Sequence, residues 1–143
     1  MTAQQPASAP PAELPLVVRT LTQEKIERYG RATGDLNPVH VDPRAAAGTR
    51  FEGTIAHGML VLAYISEAMT AAFGLDWLRN GRLRVKFRAV ARPDDTVTAG
   101  GHLKSAQRAD GFRRAVYAVE ARNQQGEVLI SGEAEADVPV EGR

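Results

Sequence analysis

Two short stretches carry residue types that could do chemistry together. Thr33-Gly34-Asp35-Leu36-Asn37-Pro38-Val39-His40-Val41-Asp42 sets a carboxylate and an imidazole five residues apart, with an Asn-Pro turn between them. Ile55-Ala56-His57-Gly58-Met59-Leu60 follows, and its glycine opens a long apolar run. A carboxylate and an imidazole can hold one water and move its proton. Backbone N–H groups at a helix start can hold a developing oxyanion. The combination predicts addition of water to an acyl group, or its removal. From the residues alone other roles stay open: Asp35 as a cap of the turn, His40 as a loop histidine, His57 as a positioning group.

These groups need a scaffold. At 143 residues the chain is sized for one domain, and 43% hydrophobic residues can fill its core. Net charge is +1, which gives no global attraction to nucleic acid. With no cysteine, disulfides and thiolate metal sites are excluded. The longest apolar run, Met59 to Ile65, is too short for a bilayer span, so no membrane partner is expected. Residues 1–12 read as a disordered tail rich in Ala, Pro, Gln and Ser, without a basic or apolar signal region. The cytoplasm is the expected compartment. Residues 13–143 are expected to form one domain.

Leu14, Leu16 and Val18 alternate as in a short first strand. Thr22 is a candidate N-cap of a helix that Gly34 would end. Asp42-Pro43 reads as a cap plus first helical residue, followed by a turn or two through Ala47 and a stop at Gly48. Gly58 to Phe73 is the strongest helix; it is apolar nearly all round and therefore expected to be buried. Strand patterns follow at 82–88, 96–107, 112–122 and 127–138, with turns at Arg92-Pro93-Asp94-Asp95, Asp110-Gly111 and Gln125-Gly126. The order predicts an α+β fold in which a curved antiparallel β-sheet wraps around a long buried central helix, the hot-dog architecture.

From about Thr22 to Val138 the chain resembles the MaoC-like dehydratases. The likeness is carried by Thr33-Gly-Asp-Leu-Asn-Pro-Val-His-Val-Asp42 and Ile55-Ala-His-Gly-Met-Leu60. Within that family it is similar to the (R)-specific enoyl-CoA hydratases, or hydratase 2. The resemblance implies a homodimer or higher homo-oligomer and reversible hydration of trans-2-enoyl-CoA to (R)-3-hydroxyacyl-CoA. It places the catalytic pair on Asp35 and His40 and the thioester oxygen on the Gly58 N–H, with Asn37, Ser66 and His57 in support. No cofactor is implied, coenzyme A being part of the substrate. Asp94 departs from the family, standing where many relatives carry glycine.

Alternatives remain: an acyl carrier protein as the thioester handle, a hot-dog thioesterase using Glu67, or a non-catalytic acyl-binding subunit. His40, Asp42 and His57 lack the usual spacing of a tetrahedral set, so no metal is expected. Arg82, Arg84, Lys86 and Arg88 alternate along one strand face and read as a solvated face, the other reading being attraction for the phosphates of coenzyme A.

Overall fold

The helix α4, Gly58–Phe73, is the centre about which the rest is laid. It is part of a computed structural model describing residues 9–140. Before it come β1 (Val17–Thr20), α1 (Gln23–Thr33), α2 (Pro38–Val41) and α3 (Pro43–Ala47). After it come α5 (Leu75–Asn80), β2 (Arg82–Phe87), β3 (Thr96–Ala109), β4 (Phe112–Arg122) and β5 (Val128–Pro139). The strands form one antiparallel sheet in the order β1-β3-β4-β5-β2.

Period-two alternation puts one face of each long strand against α4. Val97 and Ala99 of β3, Ala115, Tyr117, Val119 and Ala121 of β4, and Ile130, Ala134 and Ala136 of β5 are all buried. They meet Leu60, Val61, Tyr64, Ile65, Ala68 and Met69 of α4 in one core. The small residues Ala99, Ala115, Ala121, Ala134 and Ala136 let the sheet come close to the helix. The opposite sheet face is polar. Arg82 Nε donates to Glu135 Oε2 at 2.9 Å, Arg114 Nε donates to Asp137 Oδ1 at 2.8 Å, and Lys104 pairs with Glu133. The Arg114 and then the Arg82 hydrogen bonds hold the Asp137 carboxyl below the usual carboxylate range. Of the basic stripe of β2, Arg82 is thus paired with the acids of its neighbour strand.

The local expectations are met closely. Thr22 caps α1 by accepting from Lys25 N at 3.1 Å. Gly34 ends that helix at φ 80°, a left-handed conformation that glycine adopts without steric cost. Asp42 accepts from Arg44 N and Ala45 N and so caps α3. Asp94 lies at φ 71°, where a glycine would be unstrained, which fits its departure from the family pattern.

Four expectations need correction. Leu14 and Val17 point inward, but Leu16 is 71% and Val18 51% exposed. The cause is a one-residue offset: Val17 faces Ala99, whereas Glu13 faces His102 and not Leu103. A one-residue slip turns every later side chain to the other face. Second, α4 is not buried all round. Met59, Ala63, Glu67 and Ala71 form an exposed stripe at four-residue spacing, because one sheet covers only one side of a helix. Third, the tail expected through Ala12 is partly packed. Pro11 O accepts from Tyr117 Oη at 2.6 Å and Ala12 O from Leu103 N at 2.8 Å; residues 1–8 lie outside the described residues. Fourth, α5 was not expected, and it delivers the buried Trp77 to the core. Among the described residues, no helix is long and apolar enough to cross a membrane.

Candidate active site

The loop between α1 and α4 is held by its own short-range bonds. Asp35 Oδ1 accepts from Asn37 N at 3.3 Å, and Asn37 Oδ1 accepts from Val39 N at 3.1 Å. Asn37 is therefore the N-cap of α2, with Pro38 at its first position. This single turn carries His40. Gln23 clamps the turn from α1: its Nε2 donates to His40 O at 2.8 Å, and its Oε1 accepts from Thr54 Oγ1 at 2.8 Å.

His40 Nδ1 lies 2.8 Å from Ile55 O. A carbonyl only accepts, so Nδ1 carries the hydrogen and Nε2 of the neutral ring keeps its lone pair. That Nε2 is 3.9 Å from Asp35 Oδ2. The separation is too long for a direct hydrogen bond, yet one water oxygen can touch both atoms. The Asp35 carboxylate is half exposed and the His40 ring largely buried, so the pair opens to solvent on the Asp35 side.

His57 is 2% exposed and reaches back from the residue before α4. Its Nε2 donates to the Asp35 backbone oxygen at 2.9 Å. Its ring stacks on His40 with centroids 3.9 Å apart and planes at 26°, and Tyr29 packs at 4.9 Å. Its Nδ1 is buried without a partner. Gly58 then opens α4. No side chain caps that end, so its first N–H groups are free to bind an acceptor. Phe87 packs tightly here; a Cβ on Gly58 would lie 3.0 Å from its Cε1.

The structure thus brings together Asp35, Asn37, His40, His57 and Gly58. It does not bring Ser66 to them. Ser66 is eight residues into α4, roughly 12 Å along its axis, and its Oγ accepts from Trp77 Nε1 at 2.9 Å. It anchors α5 to α4. Glu67 lies on the exposed stripe and pairs with Arg19. Two contributors were missed in the sequence. Gln23 looks like any polar helix residue, and Gly30 has no chemistry of its own. A Cβ at Gly30 would lie 2.8 Å from Asp35 O, so its bare backbone is the seat of the loop that carries Asp35.

Asp35, His40 and His57 offer donor atoms within 4.8 Å of one another. Tetrahedral zinc at about 2.0–2.1 Å from its ligands needs them converging on one point. Two stacked imidazoles hold their in-plane lone pairs in nearly parallel planes. This arrangement fits a water held at Asp35 and His40 better than an ion held by all three.

An antiparallel sheet packed on one central helix, with the candidate site at the helix N-terminus, defines the hot-dog class. The chain belongs to the MaoC like domain family, whose model matches residues 4–125. It is 30% identical over 129 residues to the (R)-specific enoyl-CoA hydratase of Rhodospirillum rubrum, covering 88% of this chain and 85% of that protein. It is 31% identical over 126 residues to the fatty acid synthase subunit beta of Saccharomyces cerevisiae; that match covers 87% of this chain but only 6% of the synthase subunit. The solved structure of the R-hydratase PhaJ1 from Pseudomonas aeruginosa superposes with a TM-score of 0.74 at 26% identity, covering 90% of this chain and 81% of that one.

Proposed function

We propose that this chain reversibly hydrates trans-2-enoyl-CoA to (R)-3-hydroxyacyl-CoA, without a cofactor. The observation that carries the reading is the 3.9 Å gap between Asp35 Oδ2 and His40 Nε2, with the second ring nitrogen of His40 committed to Ile55 O. In hydration the water sits in that gap. His40 Nε2 takes its proton as the oxygen bonds to Cβ, and the Asp35 carboxylate orients the water and faces the imidazolium that forms. The electron pair of the double bond moves toward the thioester oxygen, where the Gly58 N–H receives the charge; such a donor is worth roughly 3–4 kcal/mol. The proton returns from the pair to Cα. Dehydration runs the same steps backward.

The neighbouring R. rubrum hydratase supports the substrate class, and the intact pair argues against a purely acyl-binding role. The thioesterase reading loses ground because Glu67 is nine residues along α4 and paired with Arg19. The working unit is proposed to be a homodimer, in which the apolar part of the α4 stripe and the edge strands β1 and β2 meet a second copy and the acyl chain enters between them. The test is loss of enoyl absorbance from crotonyl-CoA in water, with free thiol followed in parallel. Hydration without thiol release is expected; thiol release without hydration would replace this reading. Light scattering is expected to give at least twice the monomer mass.

A further inference from the structure

We propose that Gln23 and Thr54 are positioning residues that hold His40 in the one tautomer able to take a proton from water. The inference rests on the hydration reading above and extends it to two side chains whose polar atoms face each other and the main chain. Gln23 is the first residue of α1, and Thr54 is 9% exposed in the loop before α4.

The bonds form a closed ring. Gln23 Nε2 donates to His40 O at 2.8 Å, and Thr54 Oγ1 donates to Gln23 Oε1 at 2.8 Å. One peptide joins Thr54 to Ile55, whose carbonyl accepts from His40 Nδ1 at 2.8 Å. Ile55 N also donates to Val39 O at 3.1 Å. The main chain of His40 and its imidazole are therefore both tied to residues 54–55, and Gln23 is the link that closes the ring. Its amide has one workable orientation. His40 O only accepts, so the nitrogen must face it, and the oxygen is left to Thr54.

The tautomer of His40 is contested. The hydrogen sits on whichever ring nitrogen finds the better acceptor. Asp35 Oδ2 stands 3.9 Å from Nε2 and, through a bridging water, draws the hydrogen to that side. Ile55 O draws it to Nδ1. With the hydrogen on Nε2, the ring donates to the water and has no lone pair there to take its proton. Keeping Ile55 O at hydrogen-bond distance thus decides whether His40 is a base, and the bridge from Thr54 through Gln23 keeps it there.

The experiment labels the three histidines with ¹⁵N and reads the ring nitrogens by NMR, His40→Ala assigning the His40 signals. Spectra are taken at mildly alkaline pH, where an ordinary imidazole is uncharged. Wild-type protein is expected to carry the His40 hydrogen on Nδ1. Gln23→Met, which keeps the side-chain length and loses both bonds, should move population to the Nε2–H form. Thr54→Val should do likewise, and Thr54→Ser, which keeps the hydroxyl, should not. Crotonyl-CoA hydration should follow the tautomer: kcat falls roughly 10- to 100-fold in Gln23→Met and Thr54→Val, the scale of a misplacement near 1 Å, with KM little changed. The double variant should lose about as much as the worse single one, because both cut one bridge. A folded Gln23→Met protein with the wild-type tautomer would overturn the proposal, as would a Thr54→Ser loss equal to that of Thr54→Val, or a higher KM at unchanged kcat. If Gln23→Met did not fold, the two Thr54 variants decide. If wild-type protein hydrated no thioester, the hydration reading would fail, while the tautomer shift would still decide how His40 is held.

Discussion

His57 lies flat against His40, ring centroids 3.9 Å apart, while its Nε2 holds the Asp35 carbonyl at 2.9 Å. One buried imidazole therefore fixes the backbone of the carboxylate and the plane of the other imidazole. Its hydrogen is committed to a carbonyl, and its remaining nitrogen faces no donor. This makes His57 a positioning residue, and His57→Ala is expected to lower kcat by roughly 10- to 100-fold, the scale of a misplacement near 1 Å. KM should change little, and His57→Gln, which retains an N–H donor, should recover part of the loss. Wild-type turnover by a folded His57→Ala protein would show that the stacking is incidental.

Asp35→Asn is expected to keep the fold and cost at least about 100-fold in hydration. The amide can still accept from Asn37 N and hold the loop, but it carries no charge to face the imidazolium. His40→Ala should lose a similar amount. The double variant should lose less than the product of the two, because the proposed mechanism has both groups act on one water. Glu67→Gln serves as a control and should hydrate normally. Circular dichroism and initial rates of the four proteins check the set.

Gly30→Ala sets two effects against each other. Alanine in a helix is ordinarily favoured over glycine by about 1 kcal/mol. Here the new Cβ would lie 2.8 Å from Asp35 O and 3.2 Å from Leu36 Cδ2. A backbone oxygen cannot swing aside as a side-chain end can, and overpacking typically costs about 1–3 kcal/mol. The expected result is a lower melting temperature together with slower hydration. A higher melting temperature with unchanged rate would refute it.

Burial pushes the Tyr117 hydroxyl up to about 12. Its hydrogen bond to Pro11 O likewise needs the neutral form. The folded value stands above the ordinary value of 10.0, so the native state binds the proton more tightly than the unfolded chain. The stabilisation is complete below pH ~10 and is lost as pH rises toward about 12; at roughly 1.4 kcal/mol per unit it amounts to about 3 kcal/mol. Chemical denaturation across that range should show the fall, and Tyr117→Phe should flatten it. An identical slope in Tyr117→Phe would assign the alkaline loss to other groups.

Much of this protein was legible in its sequence because the signals act within a few residues. Thr22 finds Lys25 N three residues on, Gly34 closes α1, Asp42 finds Arg44 N, and the run between Gly58 and Gly74 delimits α4. The long strands were equally plain, since alternation is a local property of the pleat. The sequence alone therefore determined the long elements, their order and the residues that could do chemistry, but not the short helix α5. Tertiary structure decided what local rules do not reach. It set the one-residue offset that turns Leu16 and Val18 outward. It drew the Ser66 hydroxyl to Trp77, away from the loop, and turned the Arg88 Nε to Ser131 Oγ of β5. It also gave Gly30 its importance, for a missing side chain has meaning only when another segment occupies its space. Distances between segments far apart in the chain depend on how whole faces pack, and no single segment carries that information.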